Sequence, residues 1–412
     1  MKEAEGRDFS SRESLSIVPG VLLSGVGGGM AFPILPIAAL QAGLPIYVIG
    51  LIMATNRIVR MIVAPWVGET IDRIGGRRVF LTGILVNIAV MALFALGSLT
   101  GHEGLFFLSG RILHGIGSAC VFISAQTLAL HSGQPQGRGR ATSFIRSAQS
   151  SGTPLGFVLG GVLVVFLGDL KTFLLAMGSL VVAAAIAFPT LPDIRVRPSA
   201  APSRGFSFLK TAGRTLLPVF AITLVYTFSL QGILLATLVL WVRQIHLSFL
   251  HLGAQGTAGL LFALEAFCSA GTSLLTGRIA DRWDRPALHA SIGFLLLSAG
   301  FVLIGVCHSG AWLLSGLALT GIGGGSVWIN LLLLVDQSVP EGSRGRAVSS
   351  LQFFGDAGSS LGAFLGPVLL SLSTGLPYIL AAVLLLFSIP VGMAISGHRA
   401  RSSRFRENSL HP

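Results

Sequence analysis

The sequence predicts an all-α membrane protein of twelve transmembrane helices in two pseudo-symmetric six-helix bundles. Three observations carry that reading. The 412 residues are 52% hydrophobic and only 11% charged, with a mean hydropathy of +0.80, whereas a soluble domain carries about 25% charged residues. Apolar stretches such as GILVNIAVMALFALGSL and YILAAVLLLFSIPVGMAI approach the ~20 residues a helix needs to cross the hydrocarbon core. Blocks of glycine and charge recur in one order about half a chain apart. Long apolar runs also argue against a β-barrel, whose strands alternate.

The polar start MKEAEGRDFSSRESLS leads into a segment punctuated by Gly and Pro. That segment is too long for a signal peptide and lacks an evident cleavage site, so the first helix is expected to be retained. Twelve spans are expected near 15–40, 45–67, 79–98, 105–130, 141–167, 171–191, 214–240, 254–276, 288–306, 311–335, 347–372 and 375–397. Residues 1–191 form the first bundle and 214–397 the second. Residues 192–213, rich in Pro, Ser and Arg, read as a cytoplasmic linker, and 398–412 as a cytoplasmic tail.

Lys and Arg set the orientation. With a cytoplasmic N-terminus, only Lys171 and Arg243 of the 28 basic residues fall on the outer side, and Arg57, Arg60, Arg111 and Arg146 lie inside spans. All the others fall in cytoplasmic segments. The formal charge of +12 is therefore mostly a topology signal; it needs no nucleic-acid partner, although basic loops also favour an anionic lipid surface. Both termini are expected to be cytoplasmic. Short loops without obvious glycosylation signals suggest a bacterial inner membrane, and the chain is expected to act as a monomer. Cys120, Cys268 and Cys307 are scattered through apolar helices, which implies neither a disulfide framework nor a metal site.

The halves repeat each other. LSGRILHGIG, from Leu108, aligns with LSGLALTGIG, from Leu314, at an offset of 206 residues. The same offset carries Gly139-Arg140-Ala141 onto Gly345-Arg346-Ala347, and Gly152, Gly156 and Gly160 onto Gly358, Gly362 and Gly366. Two charged phrases, GETIDRIGGRR from Gly68 and GRIADRWDRP from Gly277, match at 209. Each is read as the cytoplasmic turn between the second and third helix of its half.

These residues resemble the major facilitator superfamily over almost the whole chain. The family's loop signature is Gly, three residues, Asp-Arg, a variable residue, then Gly-Arg and a further basic residue. Gly68, Asp72, Arg73, Gly75 and Arg77 fit it, with Gly76 where an Arg is usual; Gly277, Asp281, Arg282 and Arg285 fit in the second copy, with Asp284 replacing Gly. From the residues alone, Asp72 can pair with a nearby Arg or cap a helix, contacts of about 0.3–1 kcal/mol each. The resemblance implies a breakable cytoplasmic latch made by Asp72 and its arginines; the alternative is a pair of solvated, topology-setting turns.

Arg111 lies inside its helix, where an unpaired guanidinium is costly. Its spacing to Gly115 and Gly117 resembles a fourth-helix motif of proton-coupled members. Its repeat partner is Leu317, so symmetry did not require the charge. His114, close by, is a lone histidine that suits either a structural hydrogen bond or titration. Asn56, Arg57 and Arg60 occupy the second span, with Arg57 and Arg60 on one face. Lipid rejects such groups, so they point to protein or water and can build an anion site; Arg60 and Arg146 can equally serve cytoplasmic gate pairs. In the other half, Glu265 sits near the centre of the eighth span and Asp356 a turn or two into the eleventh. A buried acid can exchange protons as access alternates, which makes Glu265 the first candidate for proton coupling or for meeting a cationic group. Asp356 suits coupling or a gate pair.

Glycine every fourth residue at 152, 156 and 160, and again at 358, 362 and 366, leaves a smooth stripe where another helix can approach, and Pro154 and Pro367 allow bending. SSGTPLGFVLGG resembles the Gly-Pro-rich motif of the family's exporters. The resemblance is to the drug/proton antiporter branch: Glu265, Arg111 and Asp356 for coupling, Asn56, Arg57, Arg111 and Glu265 for substrate, and Gly68, Asp72, Arg73, Arg77, Asp281 and Arg282 for the latch. The partners implied are a small-molecule substrate, protons and lipid, with no cofactor. Two alternatives stand beside it: an organic-anion transporter with an arginine-based site, and a non-transporting sensor or scaffold. No Gly-x-x-x-x-Gly-Lys-Ser/Thr loop appears, so neither ATP coupling nor an enzyme is expected.

Overall fold

The computed structural model describes residues 17–131, 138–191, 216–283, 285–306, 309–339, 344–390 and 393. Among them the chain runs helix after helix with no strand: α1 (Ile17–Met30), α2 (Leu35–Gln41), α3 (Ile46–Ile74), α4 (Gly76–Thr100), α5 (Glu103–His131), α6 (Arg138–Thr190) and α7 (Leu217–Thr227). A π-helical turn, Phe228–Leu234, joins α7 to α8 (Leu235–Gln244). There follow α9 (Gly253–Arg282), α10 (Pro286–Gly305), α11 (Gly310–Asp336), α12 (Arg344–Leu372) and α13 (Leu376–Pro390).

Ten stretches are long and apolar enough to cross a membrane. One of them, Ser151–Thr190, contains Gly168 at φ 75° and ψ 172°, a left-handed break that divides α6 in two. With that division and the shorter α13, the pattern is consistent with the twelve expected crossings. The first crossing is itself interrupted between Met30 and Leu35, around Pro33. The expected linker, 192–213, and tail, 398–412, lie outside the described residues.

The charged phrases are more helical than the sequence suggested. Instead of a loop from 68 to 78, α3 continues to Ile74, turns at Gly75 alone (φ 92°, ψ 149°) and resumes as α4 at Gly76. The second phrase likewise extends α9 to Arg282. One glycine with positive φ reverses the chain, so the charges ride on helix ends.

Two compact units emerge. Among the described residues the first holds 17–48, 55–191 and 248–260, the second 49–54, 216–247 and 261–390. In the first, the stripe of α6 meets α1 backbone to backbone: the Cβ position of Gly152 lies 2.6 Å from Leu22 O, and those of Gly156 and Gly160 run into Val26 O and Met30 O. In the second, Gly358 and Gly362 of α12 meet Leu224 O and Phe228 O in the same way. The π turn brings Gly232 against Gly362, with its Cβ position 2.6 Å from the Gly362 Cα. Each unit also has an aromatic core. Phe94, Phe107 and Phe173 pack with centroids 5.5–6.1 Å apart. Tyr378 packs on Trp241 and Phe301, and its hydroxyl lies 2.9 Å from that of Thr237.

Gly156→Ala and Gly358→Ala are expected to destabilise the protein by about 1–3 kcal/mol, because a carbonyl stands where the methyl must go. Gly178→Ala, with nothing within 4 Å of its Cβ position, is expected to raise stability by up to about 1 kcal/mol through helix propensity. Thermal unfolding in detergent reads all three; equal behaviour would refute the packing argument.

Candidate functional site

In the first unit, α5 lies against α3 at Gly115, whose Cβ position is 2.7 Å from Asn56 O and 2.6 Å from Val59 Cβ. One turn earlier, Arg111 is completely buried. The guanidinium stacks 5.0 Å from the Phe32 ring centroid, and Nη1 lies 3.4 Å from His114 Nδ1. Arginine has only donors, so Nδ1 accepts and Nε2 carries the ring hydrogen. Nε2 faces α1 at Gly28. This arrangement matches the structural reading of His114.

Arg57 and Arg60 are half-buried on α3, and their charges act on both Arg111 and His114. Arg60 lies over the Phe122 ring at 6.0 Å. Asn56 is 5% exposed, and its Oδ1 has no hydrogen-bond partner among the described residues. The side chain of Arg146 lies outside those described.

The second unit repeats the scaffold with different chemistry. Gly321 of α11 is the repeat partner of Gly115, and its Cβ position runs into Glu265 O just as that of Gly115 meets Asn56 O. Glu265, at the offset of 209, is thus the structural counterpart of Asn56. It lies twelve residues, ~18 Å, into α9. Tyr226 donates its hydroxyl to Gly324 O at 3.1 Å and stacks on Trp328 with centroids 6.2 Å apart. The Cβ position of Gly324 is 3.8 Å from the Tyr226 hydroxyl and 4.0 Å from Glu265 Oε1. A side chain at 324 would therefore enter the space that the acid and the phenol share. Among the described residues no ion pair reaches Glu265.

Asp356 is buried and lies twelve residues into α12, deeper than the turn or two that the sequence suggested. Oδ1 accepts from Gln352 Nε2 at 3.4 Å, and Ser359 and Ser360 donate to its carbonyl.

At the charged phrases, Gly68 has nothing within 4 Å of its Cβ position, and Asp72 is exposed. Asp72 occupies the last turn of α3, where a negative charge opposes the helix dipole, and α4 has no side-chain cap, so the capping option is not used. Arg73 pairs with Glu69 at 3.7 Å, both exposed. Arg77 donates to Phe188 O at 2.6 Å and stacks on that ring at 5.6 Å. Arg282 is exposed; the side chain of Asp281 lies outside the described residues.

Sequence reasoning missed Phe32, Phe122, Tyr226, Gly324 and Trp328. One signal was available for Tyr226: the chain has only 3 tyrosines, and a phenol inside an apolar span needs a partner for its hydroxyl.

The profile of the Major Facilitator Superfamily matches residues 17–363 and again 257–408. Multidrug resistance protein 2 of Bacillus subtilis is 22% identical over 215 residues, 52% of this chain and 53% of that protein. Multidrug resistance protein MdtH of Aeromonas hydrophila is 32% identical over 118 residues, 29% of this chain and 30% of the relative. The chain thus spans about half and about a third of these relatives. MdtH of Proteus mirabilis is 24% identical over 286 residues, 69% of this chain and 68% of its own. Among solved structures, the human organic anion transporter MFSD10 superposes with a TM-score of 0.69 at 20% identity, covering 92% of this chain and 99% of that one. The nucleoside transporter NupG does so with 0.76 at 10% identity, covering 93% and 99%. At such identities the two structures speak for the fold.

The latch candidates should separate on mutation. Arg77→Ala loses a charged hydrogen bond and a ring contact and is expected to cost about 1 kcal/mol. Asp72→Asn, exposed and unpaired among the described residues, is expected to change stability by less than ~0.5 kcal/mol. Thermal unfolding compares them directly, and a large loss for Asp72→Asn would show that the residue supports the fold.

Proposed function

The chain belongs to the Major Facilitator Superfamily, and we propose that it is a proton-coupled exporter of small organic molecules, with Glu265 carrying the coupled proton. It is a multi-pass membrane transporter rather than an enzyme. The observation that carries the proposal is the setting of Glu265. A carboxyl group deep within an apolar helix, with the Tyr226 hydroxyl facing the same small space at Gly324, is costly unless it is used. The relatives named multidrug resistance proteins support drug-like cargo and outward transport.

In this reading two six-helix halves alternate access to a central path. A proton from outside binds the Glu265 carboxylate and removes its charge, which lowers the cost of the dehydrated states the halves pass through. Release of that proton inside restores the anion, and the Tyr226 hydroxyl can then turn from the Gly324 carbonyl to the carboxylate. Asp356, held by Gln352, is a second acid for the same relay. Arg111 stabilises the first half through His114 and Phe32. Gly68, Asp72, Arg73 and Arg77, with Asp281 and Arg282, form a cytoplasmic latch whose contacts are individually weak and break together. Asp72 suits that role because its place at a helix end does not stabilise the resting fold. The proposed home is a cell inner membrane, with both termini cytoplasmic and the chain a monomer.

Reconstitution into liposomes with an imposed pH gradient tests the coupling. Glu265→Gln should abolish gradient-driven substrate movement, by more than about tenfold, while gradient-free substrate exchange persists. Tyr226→Phe should keep the fold, since one buried hydrogen bond is worth about 1 kcal/mol, and should slow gradient-driven transport more than exchange. Full gradient-driven transport by Glu265→Gln would remove Glu265 from the mechanism.

A further inference from the structure

We propose that the π turn of the second unit is a cargo-contact element, and that the side-chain amide of Gln231 on that turn hydrogen-bonds a neutral polar group of the cargo. This rests on the transporter reading above and adds a specificity-determining residue to it. Register argues first. In the first unit the glycine stripe of α6 meets α1 in steps of four residues: Gly152, Gly156 and Gly160 face the carbonyls of Leu22, Val26 and Met30. In the second unit the first step is again four, since Gly358 and Gly362 face the carbonyls of Leu224 and Phe228. The next step is five, because the Cβ position of Gly366 comes 3.4 Å from the Cα of Ile233. The π turn, Phe228–Leu234, thus takes up one extra residue and keeps the register with α12 on both sides of it. Packing on a glycine stripe does not require that residue, since the first unit does without it.

Burial points to the residue that the turn presents. Every residue from Phe228 to Leu234 is buried except Gln231, which is half-exposed. Its neighbours take the packed sides of the turn. Leu230 reaches α11, where its Cδ2 lies 2.8 Å from the Cβ position of Gly324, and Gly232 meets α12 at Gly362. Gln231 is left on a third side. Lipid rejects an amide as it rejects other polar groups, so that side faces protein or water. A glutamine amide has two donor hydrogens and an oxygen with two lone pairs. It can therefore keep a contact within the protein and still receive a ligand group that both donates and accepts, as a carboxamide does. Aromatic surface lies beside the turn: Tyr226, two residues before it, stacks on the half-buried Trp328. The cargo group that answers this arrangement is a neutral primary amide on an aromatic body.

Phenylacetamide has both features and serves as the probe, beside its N,N-dimethyl derivative, which accepts a hydrogen bond but cannot donate one. The melting temperature of the purified full chain is measured over a range of concentrations of each, since ligand that binds the folded state raises it. The primary amide should act at concentrations about tenfold lower than the dimethyl amide, the worth of one hydrogen bond. Gln231→Leu should bring the two together without lowering the melting temperature of the ligand-free chain. Deletion of Ser229 removes one residue from the turn and lets it close as an α-helix, with the contacts at Gly358 and Gly366 kept in register. That variant should fold, yet lose the preference for the primary amide although Gln231 is still present.

Equal shifts by the two amides, or no shift by either, would overturn the inference, as would a preference for the primary amide that persists in Gln231→Leu. A Ser229 deletion that keeps the preference would do the same, and so would one that unfolds, because the turn would then serve packing. Glu265→Gln separates the two proposals. A preference for the primary amide that survives in this variant while gradient-driven transport is lost supports both. Gradient-driven transport that survives with the preference intact refutes the coupling role of Glu265 alone, and coupling lost in a protein whose wild type shows no preference refutes the Gln231 contact alone.

Discussion

Close approach of helix backbones at glycine is the contact on which the rest of this fold depends. Lipid is as apolar as leucine, so helices in a bilayer gain little by burying apolar side chains against each other and must gain from packing and short-range contacts instead. The chain meets that constraint with glycines that touch carbonyl groups: Gly152, Gly156 and Gly160 on α1, Gly358 and Gly362 on α7 and the π turn, Gly115 on α3 and Gly321 on α9. Such contacts also fix register. A helix whose glycine faces a neighbour's carbonyl cannot slide by a residue without driving a side chain into that backbone, and register decides where Asn56 and Glu265 stand.

On this scaffold the interior charges are sorted by half. The spans of the first carry Arg57, Arg60 and Arg111 and no central acid; those of the second carry Glu265 and Asp356 and no central Lys or Arg. Balanced pairs within each unit would cancel locally and hold the unit in one electrostatic state. Unmixed charge does the opposite. Charge of one sign within a unit makes its energy depend on protonation, on a charged ligand or on an opposite charge brought to it, and so couples the unit to events outside itself. The rings of Phe32 and Phe122 add cation–π contacts to Arg111 and Arg60.

Much of the fold was legible in the sequence because it rests on periodic features. The glycine stripes, the offsets of 206 and 209 and the apolar spans are all repeats along the chain, and each corresponds to a helix or a helix contact. Boundaries at the charged phrases were not legible, since charge suggests a loop, whereas α3 needs only Gly75 to turn. The π turn was hidden for a related reason: FSLQGIL is ordinary apolar sequence, and what distinguishes it is the approach of Gly362 from another helix. At the site, Arg111, Arg57 and Glu265 announced themselves as charges in apolar surroundings. Phe32 and Tyr226 did not, because their partners come from other helices and no spacing along the chain records such a meeting.

The repeat also explains how one scaffold holds opposite chemistry at equivalent places. Gly115 and Gly321 touch the backbone oxygens of Asn56 and Glu265, not their side chains. The contact that positions the two residues is therefore indifferent to what they carry, and an amide in one half can correspond to a carboxyl group in the other without disturbing the packing. Arg111 and Leu317 make the same point one turn away: both are completely buried, yet one is a cation stacked on Phe32 and the other an apolar core residue. Duplication supplied the backbone geometry twice. The side chains that differ at matched positions, Asn56 against Glu265 and Arg111 against Leu317, give the two halves unlike interiors on a shared backbone plan.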